Sequence, residues 1–273
     1  MKLRYFIFFI LTALSINTGI MQARNAVDSV STSDTTVVNA DAVESKADLA
    51  YRDNNFAESI KLYESQITEN KLTNQESPQL YYNLGNAYFR DNQIAKAIVN
   101  YERALLLDPG DSDIRHNLRF AKTKIEDKID STDTFFITQW IRSIQNLYNA
   151  NSWATIGVVL FILFIVATGI YMISMRLIVR KTSFYSGIVL LSLVIIVNIF
   201  AFKQKNKIVN RSTGIVMSAS VSIYTSPDAH SQELFRLHEG AKVFIKRKER
   251  NWLEIEIANG SVGWLQQKSI ETI

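Results

Sequence analysis

The sequence predicts a multi-domain chain: an all-α helical-repeat arm, a two-helix transmembrane hairpin and a small all-β barrel. Three observations predict it. Residues 153–175 and 182–202 carry no charge over 23 and 21 residues. A helical pattern before them recurs with an offset of 38 residues. After them, 212–273 alternates apolar and polar residues between turn signals, the period of half-buried strands.

The apolar runs set the frame. A helix of 23 residues is about 34 Å long, and a bilayer's hydrocarbon core is about 30 Å thick. Only Arg176, Leu177, Ile178, Val179, Arg180 and Lys181 lie between the runs. So short a link allows only an antiparallel hairpin, which leaves both flanking arms on one side of the membrane. The three basic residues of the link place its tip in the cytoplasm by the positive-inside rule. A second basic cluster, Lys203, Lys205, Lys207 and Arg211, follows the second run and claims the same side. The two clusters cannot both obey. The N-terminus is the tie-breaker. Its basic Met-Lys-Leu-Arg start, apolar Tyr5–Leu14 stretch and polar Ser15–Gly19 tail make 1–23 a secretory signal or an uncleaved N-terminal anchor. Either puts both arms outside the cytoplasm. A lipoprotein is excluded, because a lipobox needs a cysteine.

Composition removes several function classes. With no cysteine, disulfides, thiol catalysis and cysteine–zinc sites are excluded. The net charge of +4 is thinly spread and forms no stripe for nucleic acid. The histidines His116, His230 and His238 are far apart, and His238-Glu239 is expected as a solvated pair at a barrel turn. No H-E-x-x-H, phosphate-binding lysine loop, G-x-S-x-G or G-x-G-x-x-G is present. No catalytic residue, cofactor or metal ligand is therefore expected, and the chain is not expected to be an enzyme. No charge lies within either span, which speaks against a transport path. Asn198 is the polar exception, placed to hydrogen-bond across the hairpin or to another helix.

The first arm opens with a Ser-, Thr- and Asp-rich spacer over 24–44. The helical arm covers 45–131. Within it, PQLYYNLGNAYFRDNQIAKAIVNYERALLLDP (78–109) places Tyr81, Leu84, Gly85 and Tyr88 on one helix and Ala97, Tyr101 and Ala104 on the next, with Pro109 as the break. This resembles the tetratricopeptide repeat, a hairpin of two helices in about 34 residues. Gly85 and Ala97 let the helices approach; Tyr88 and Tyr101 fill the space around them. An earlier unit puts Ala47, Ala50, Phe56, Ser59, Ile60 and Tyr63 on the equivalent positions, with its extra residues in the loop around Asn70–Ser77. A third helix starts after Asp111 or Ser112 and runs through Ile114, Leu118, Ala121 and Ile125. Two and a half repeats are near the lower limit of about three units for a stable solenoid. The arm is thus expected to lean on something: the membrane, a second copy or a partner.

The repeat's inner surface carries the candidate partner-binding residues Tyr51, Tyr82, Asn86, Phe89, His116 and Phe120, with Asp48 and Gln79 beside them. For each exposed aromatic, helix packing is the alternative role. Asn86 resembles one member of the carboxylate clamp of chaperone-binding repeats, but Asp48 at the partner position would repel a carboxylate. An amphipathic helix over 135–149, with Phe136, Ile137, Trp140, Ile141, Ile144, Leu147 and Tyr148 on one face, either lies in the membrane interface or packs on the repeats.

In the second arm Leu253, Ile255 and Ile257 alternate with polar neighbours, and Asn259-Gly260 is a hairpin turn in which both residues tolerate positive φ. VSIYTSPD (221–228), LHEGAKVFI (237–245), NWLEIEI (251–257) and GSVGWL (260–265) resemble the bacterial SH3 barrel. Tyr224, Trp252 and Trp264 are its candidate contact residues, with a core role as the alternative. A single Trp252 in place of a pair removes the expectation of proline-rich ligands.

The order of signal, repeats, hairpin and bacterial SH3 barrel resembles BatE-type proteins of the Bat aerotolerance operons over nearly the full length. That resemblance implies a multi-pass protein of the bacterial inner (cytoplasmic) membrane with periplasmic arms. It implies a scaffold in an envelope complex beside von Willebrand A-domain membrane proteins and a MoxR-type ATPase, linked to oxygen or stress tolerance. The alternative function is a cell-wall sensor or tether whose barrel binds peptidoglycan.

Overall fold

The computed structural model describes residues 45–73, 75–129 and 136–273. The signal or anchor, the spacer, Asn74 and residues 130–135, which include the end of the expected repeat arm and the first residue of the expected amphipathic segment, lie outside these residues. The described chain divides into two compact units. One is Asn151–Ile199; the other joins Glu44–Ala150 to Phe200–Ile273.

The first unit holds the apolar helices. Helix α7, Ala150–Ile173, and helix α8, Leu177–Asn210, are each long and apolar enough to cross a membrane. Only Ser174, Met175 and Arg176 separate them, so Arg180 and Lys181 are helical and not part of the link. No proline or glycine stands between Leu177 and Ser186 to delay the helix. Within this unit the two run antiparallel: Tyr171 packs on Phe184 at 5.9 Å, and a Cβ added to Gly157 would lie 3.3 Å from the Asn198 amide. Asn198 donates back along its own helix to the Val194 carbonyl at 2.8 Å, where the sequence led us to expect a bond across the hairpin or to another helix.

The second unit begins with the repeats. Helices α1 (Lys46–Arg52), α2 (Phe56–Leu72), α3 (Pro78–Arg90), α4 (Ile94–Leu107) and α5 (Ser112–Lys122) form two helical hairpins and a half. Ser45 and Asp48 close a reciprocal capping box at the start of α1. Asn54 and Asn92 adopt positive φ in the equivalent turns of the two repeats, where a short polar side chain tolerates the left-handed conformation. Gly85 is needed where it stands: a Cβ there would meet the Tyr101 ring at 2.8 Å. Ala47, Ser59, Ala97, Ile98, Tyr101 and Ala104 are buried between the helices. Asp111, not Ser112, is the N-cap of α5, accepting from the Asp113 and Ile114 amides. The helix stops at Lys122, short of Ile125. Helix α6, Phe136–Gln145, is shorter than the expected 135–149 segment.

Strands β1 (Thr213–Val216), β2 (Ser220–Tyr224), β3 (Glu233–His238), β4 (Lys242–Glu249), β5 (Trp252–Glu256), β6 (Val262–Gln266) and β7 (Ile270–Thr272) form one antiparallel sheet in the order β3-β2-β6-β5-β4-β1-β7. A register shift between Ile245 and Arg247 bends β4. The β5–β6 turn differs from the expected form. Gly260 alone takes positive φ, while its amide donates to the Ile257 carbonyl at 2.9 Å. Gly263 lies where a Cβ would meet Ile223 at 2.4 Å, so β6 passes β2 with no side chain between them.

The repeats and the barrel are not separate bodies. Ile215 and Ile273 of the barrel are buried in the same core as Ile98, Tyr101 and Ile114 of the repeats. The support that two and a half repeats require is supplied by the chain's own barrel.

Candidate functional site

The repeat surface is built on an internal polar network. The Tyr101 hydroxyl donates to Asn86 Oδ1 at 2.7 Å, and Asn117 Nδ2 donates to the same oxygen at 2.9 Å and to the Tyr82 hydroxyl at 3.0 Å. Asn86 is therefore tied to its own repeats. One repeat earlier, Asp48 accepts from the Tyr63 hydroxyl and, at 3.4 Å, from Asn83 Nδ2. Burial would raise the Asp48 carboxyl, but the hydrogen bonds from Tyr63 and Ser45 outweigh it and hold it below its ordinary value. Burial and the Asp48 carboxylate both push the Tyr63 phenol up.

Asp48, Tyr51, Arg52, Tyr63, Asn83 and Asn86 line a small cavity of about 120 Å³ on this surface. Tyr51 also packs edge-on against Phe56 at 5.6 Å. Phe89 and Phe120 pair at 5.5 Å, and Phe120 stays 50 % exposed. His116 is exposed nearby on the same helix. The structure thus gathers the sequence-derived residues into two groups: Tyr51 with Asn86 at the cavity, and Phe89 with Phe120 as an aromatic shelf. Tyr82 lies between them, 6.0 Å from the Tyr101 ring. Sequence reasoning missed Asn83 and Asn117. Their signal was position: Asn83 is three before Asn86, and Asn117 three before Phe120.

On the barrel, Tyr224 meets Trp252 edge-to-face at 5.7 Å and pairs with Trp264 across β2 and β6. The three aromatic residues therefore form one cluster. Tyr224 and Trp252 are half-buried; Trp264 is buried, with the Arg247 guanidinium 5.1 Å from its ring. Tyr224 and Trp252 keep part of their surface in solvent, whereas Trp264 does not.

The seam between repeats and barrel is densely charged. Glu102 on α4 is 6 % exposed and accepts from Lys122 at 2.7 Å and from Lys242 at 2.6 Å. Burial alone would raise its carboxyl; Lys242 and Lys122 overcome this and hold it down at about 2. Arg103 bonds Glu271 at 2.8 Å and the Thr272 carbonyl at 3.0 Å. Arg211 grips both Glu76 oxygens at 2.8 and 2.7 Å. His238 is not a solvated pair with Glu239. Its backbone N–H donates to Asp127 Oδ2 at 2.6 Å and its Nδ1 lies 2.9 Å from Asp127 Oδ1. Ile125, beyond the end of α5, packs so tightly on Gly240 that a Cβ there would lie 2.4 Å away.

Helix α6 is exposed over residues 136–143, apolar and polar alike, and Ile144 is half-buried. Phe136 and Trp140 are 70 and 65 % exposed, and Ile137 and Ile141 are exposed beside them. Among the described residues no three His, Asp or Glu side chains converge as a metal site would require.

Comparison with known proteins matches two parts of the chain. A tetratricopeptide repeat model matches 78–111. A bacterial SH3 domain model matches 218–271. No curated protein matches the chain. Tetratricopeptide repeats are protein-interaction modules, bacterial SH3 domains point to cell-wall binding, and both are typically non-catalytic.

Proposed function

We propose that this chain is a membrane-anchored protein–protein interaction scaffold of a bacterial envelope complex, of the Bat aerotolerance kind. The apolar hairpin holds it in the inner membrane. The arms face the periplasm, and the partners include von Willebrand A-domain membrane proteins of the same complex. The carrying observation is the shared core of repeats and barrel, with Ile215 and Ile273 buried among repeat residues. A common core fixes the distance between the repeat surface and the barrel's aromatic cluster. Two weak contacts at fixed spacing reinforce each other by about 10²-fold or more when one assembly presents both epitopes.

A photo-crosslinking residue at Phe89 tests the reading in intact membranes. The scaffold role expects one discrete crosslinked membrane protein carrying a von Willebrand A domain. The same product must be lost when Tyr51 and Tyr82 are both replaced by alanine. Crosslinks only to lipid, or a product unaffected by those changes, would refute it.

A second reading, a cell-wall tether, draws on the half-buried Tyr224–Trp252 pair. It expects the detergent-solubilised full chain to bind purified sacculi and the Trp252→Ala variant to release them. The full chain is required because the barrel contributes to the repeats' core.

A further inference from the structure

The basic cluster after the second apolar run has a use other than setting topology. Arg211 is consumed by Glu76, both of whose carboxylate oxygens accept from its Nη2. Lys203 and Lys207 line a cleft of about 950 Å³, together with Arg142 of α6, Lys242 of the barrel and Phe202. Lys205 does not line it. The charges that act on Lys207 are Arg142, Lys242 and Lys203, all of them positive. Lys242 shares the Glu102 carboxylate with Lys122, and Lys246 at the rim pairs with Glu256 at 2.5 Å. Among the described residues, Arg142, Lys203 and Lys207 have no carboxylate partner. Three like charges around one cleft repel one another unless an anion joins them.

We propose that this cleft holds the phosphodiester headgroup of an anionic membrane lipid, bound by Arg142, Lys203 and Lys207. The inference rests on the membrane-anchored reading. The source is a lipid because of where the lysines fall. The apolar run ends at Phe202, which is 71 % exposed and lines the cleft. At about 1.5 Å per residue, Lys203 and Lys207 rise roughly 1.5 and 7.5 Å beyond it along one helix. A headgroup layer is about 5–7.5 Å deep on each face of the hydrocarbon core. Lys203 and Lys207, four residues apart, share a helix face. The exposed Phe136 and Trp140 of α6 are residue types that favour a membrane interface. Gln204 ties α8 to the end of α6 by donating to the Gln145 carbonyl at 3.1 Å, which holds Arg142 on the cleft.

The test uses the full chain in neutral detergent, titrated with short-chain phosphatidylglycerol, short-chain phosphatidylcholine or inorganic phosphate while the thermal midpoint is read. Phosphatidylglycerol should raise the midpoint at concentrations at least about tenfold below phosphatidylcholine. The double change Lys203→Gln with Lys207→Gln should weaken that response about tenfold or more, and Arg142→Gln should weaken it on its own. Lys205→Gln removes the same charge beside the cleft and should leave the response unchanged. An equal response to both lipids, an equal response to inorganic phosphate, or an equal loss in the Lys205 variant would overturn the proposal. Alkaline extraction of membranes separates the two ideas. A chain that stays in the membrane without lipid selectivity sinks only the headgroup site, whereas a chain that extracts into solution sinks the anchored reading as well.

Discussion

Glu102 of the second repeat and Lys242 of the barrel are 2.6 Å apart across the seam that makes the two arms one body. Lys122 completes the arrangement at 2.7 Å from the other carboxylate oxygen. A buried carboxylate with two amines is costly to dismantle from one side, because the remaining charges keep their desolvation cost without their partner. Glu102→Gln should therefore lower the stability of the detergent-solubilised chain by about 2–4 kcal/mol, since the lysine amines remain partly solvated. Tryptophan fluorescence during denaturation reports it. A change under about 0.5 kcal/mol would show that the seam does not hold the arms together.

The same carboxylate gives an acid limb to the stability profile. Its value in the folded chain is about 2, against an ordinary 4.5. A depressed folded value stabilises above the unfolded one and is lost as the pH falls through the folded one. The contribution, roughly 3 kcal/mol, is thus present above about pH 4.5 and fades toward pH 2. The difference in stability between the native chain and Glu102→Gln should shrink over that window. A difference independent of pH would place the stabilisation in shape and not in charge.

That seam explains which parts of the structure could be read from the sequence. Periodicity of 3.6 and of 2 reports which residues are buried, so the repeats, the apolar helices and the barrel were legible. It does not report what buries them. Yet the apolar residues of α4 extend beyond one stripe, with Ala95, Ile98 and Val99 buried as well as the repeat-facing Ala97 and Tyr101, and such a helix is covered on more than one side. Glu102, four residues after Ile98, sits on the second buried face and marks an ion pair to come. Ile125 kept helical spacing with Leu118 but belongs to the barrel contact at Gly240. Asn86 looked like a ligand-binding amide. Its carbonyl is instead occupied by Tyr101 and Asn117, contacts that depend on how α3, α4 and α5 stack.

Gly85→Ala tests the helix approach within the matched repeat. The added methyl would lie 2.8 Å from two carbons of the Tyr101 ring, which is itself fixed by its bond to Asn86. Overpacking of this kind costs about 1–3 kcal/mol. Combining it with Tyr101→Leu, which removes the obstructing ring, should cost less than the sum of the two single changes. Strict additivity in thermal denaturation would mean that the glycine serves some purpose other than this contact.

His238 supplies a pH effect of the opposite sign. Its hydrogen bond to Asp127 raises the imidazole above its ordinary 6.5, working against burial, and the charges of Asp127 and Glu126 add to the rise while Arg236 opposes it. A raised folded value stabilises fully below the unfolded one and is lost as the pH climbs through the folded one. As the pH climbs above 6.5 and through the raised folded value, the chain should therefore lose stability as His238 deprotonates. Asp127 also accepts the His238 backbone N–H, so Asp127→Asn weakens the seam at every pH and removes the alkaline slope. His238→Asn spares the backbone bond and should remove the slope alone. Denaturation midpoints taken across that range distinguish the two, and an alkaline slope that survives in both variants would assign it to a different group.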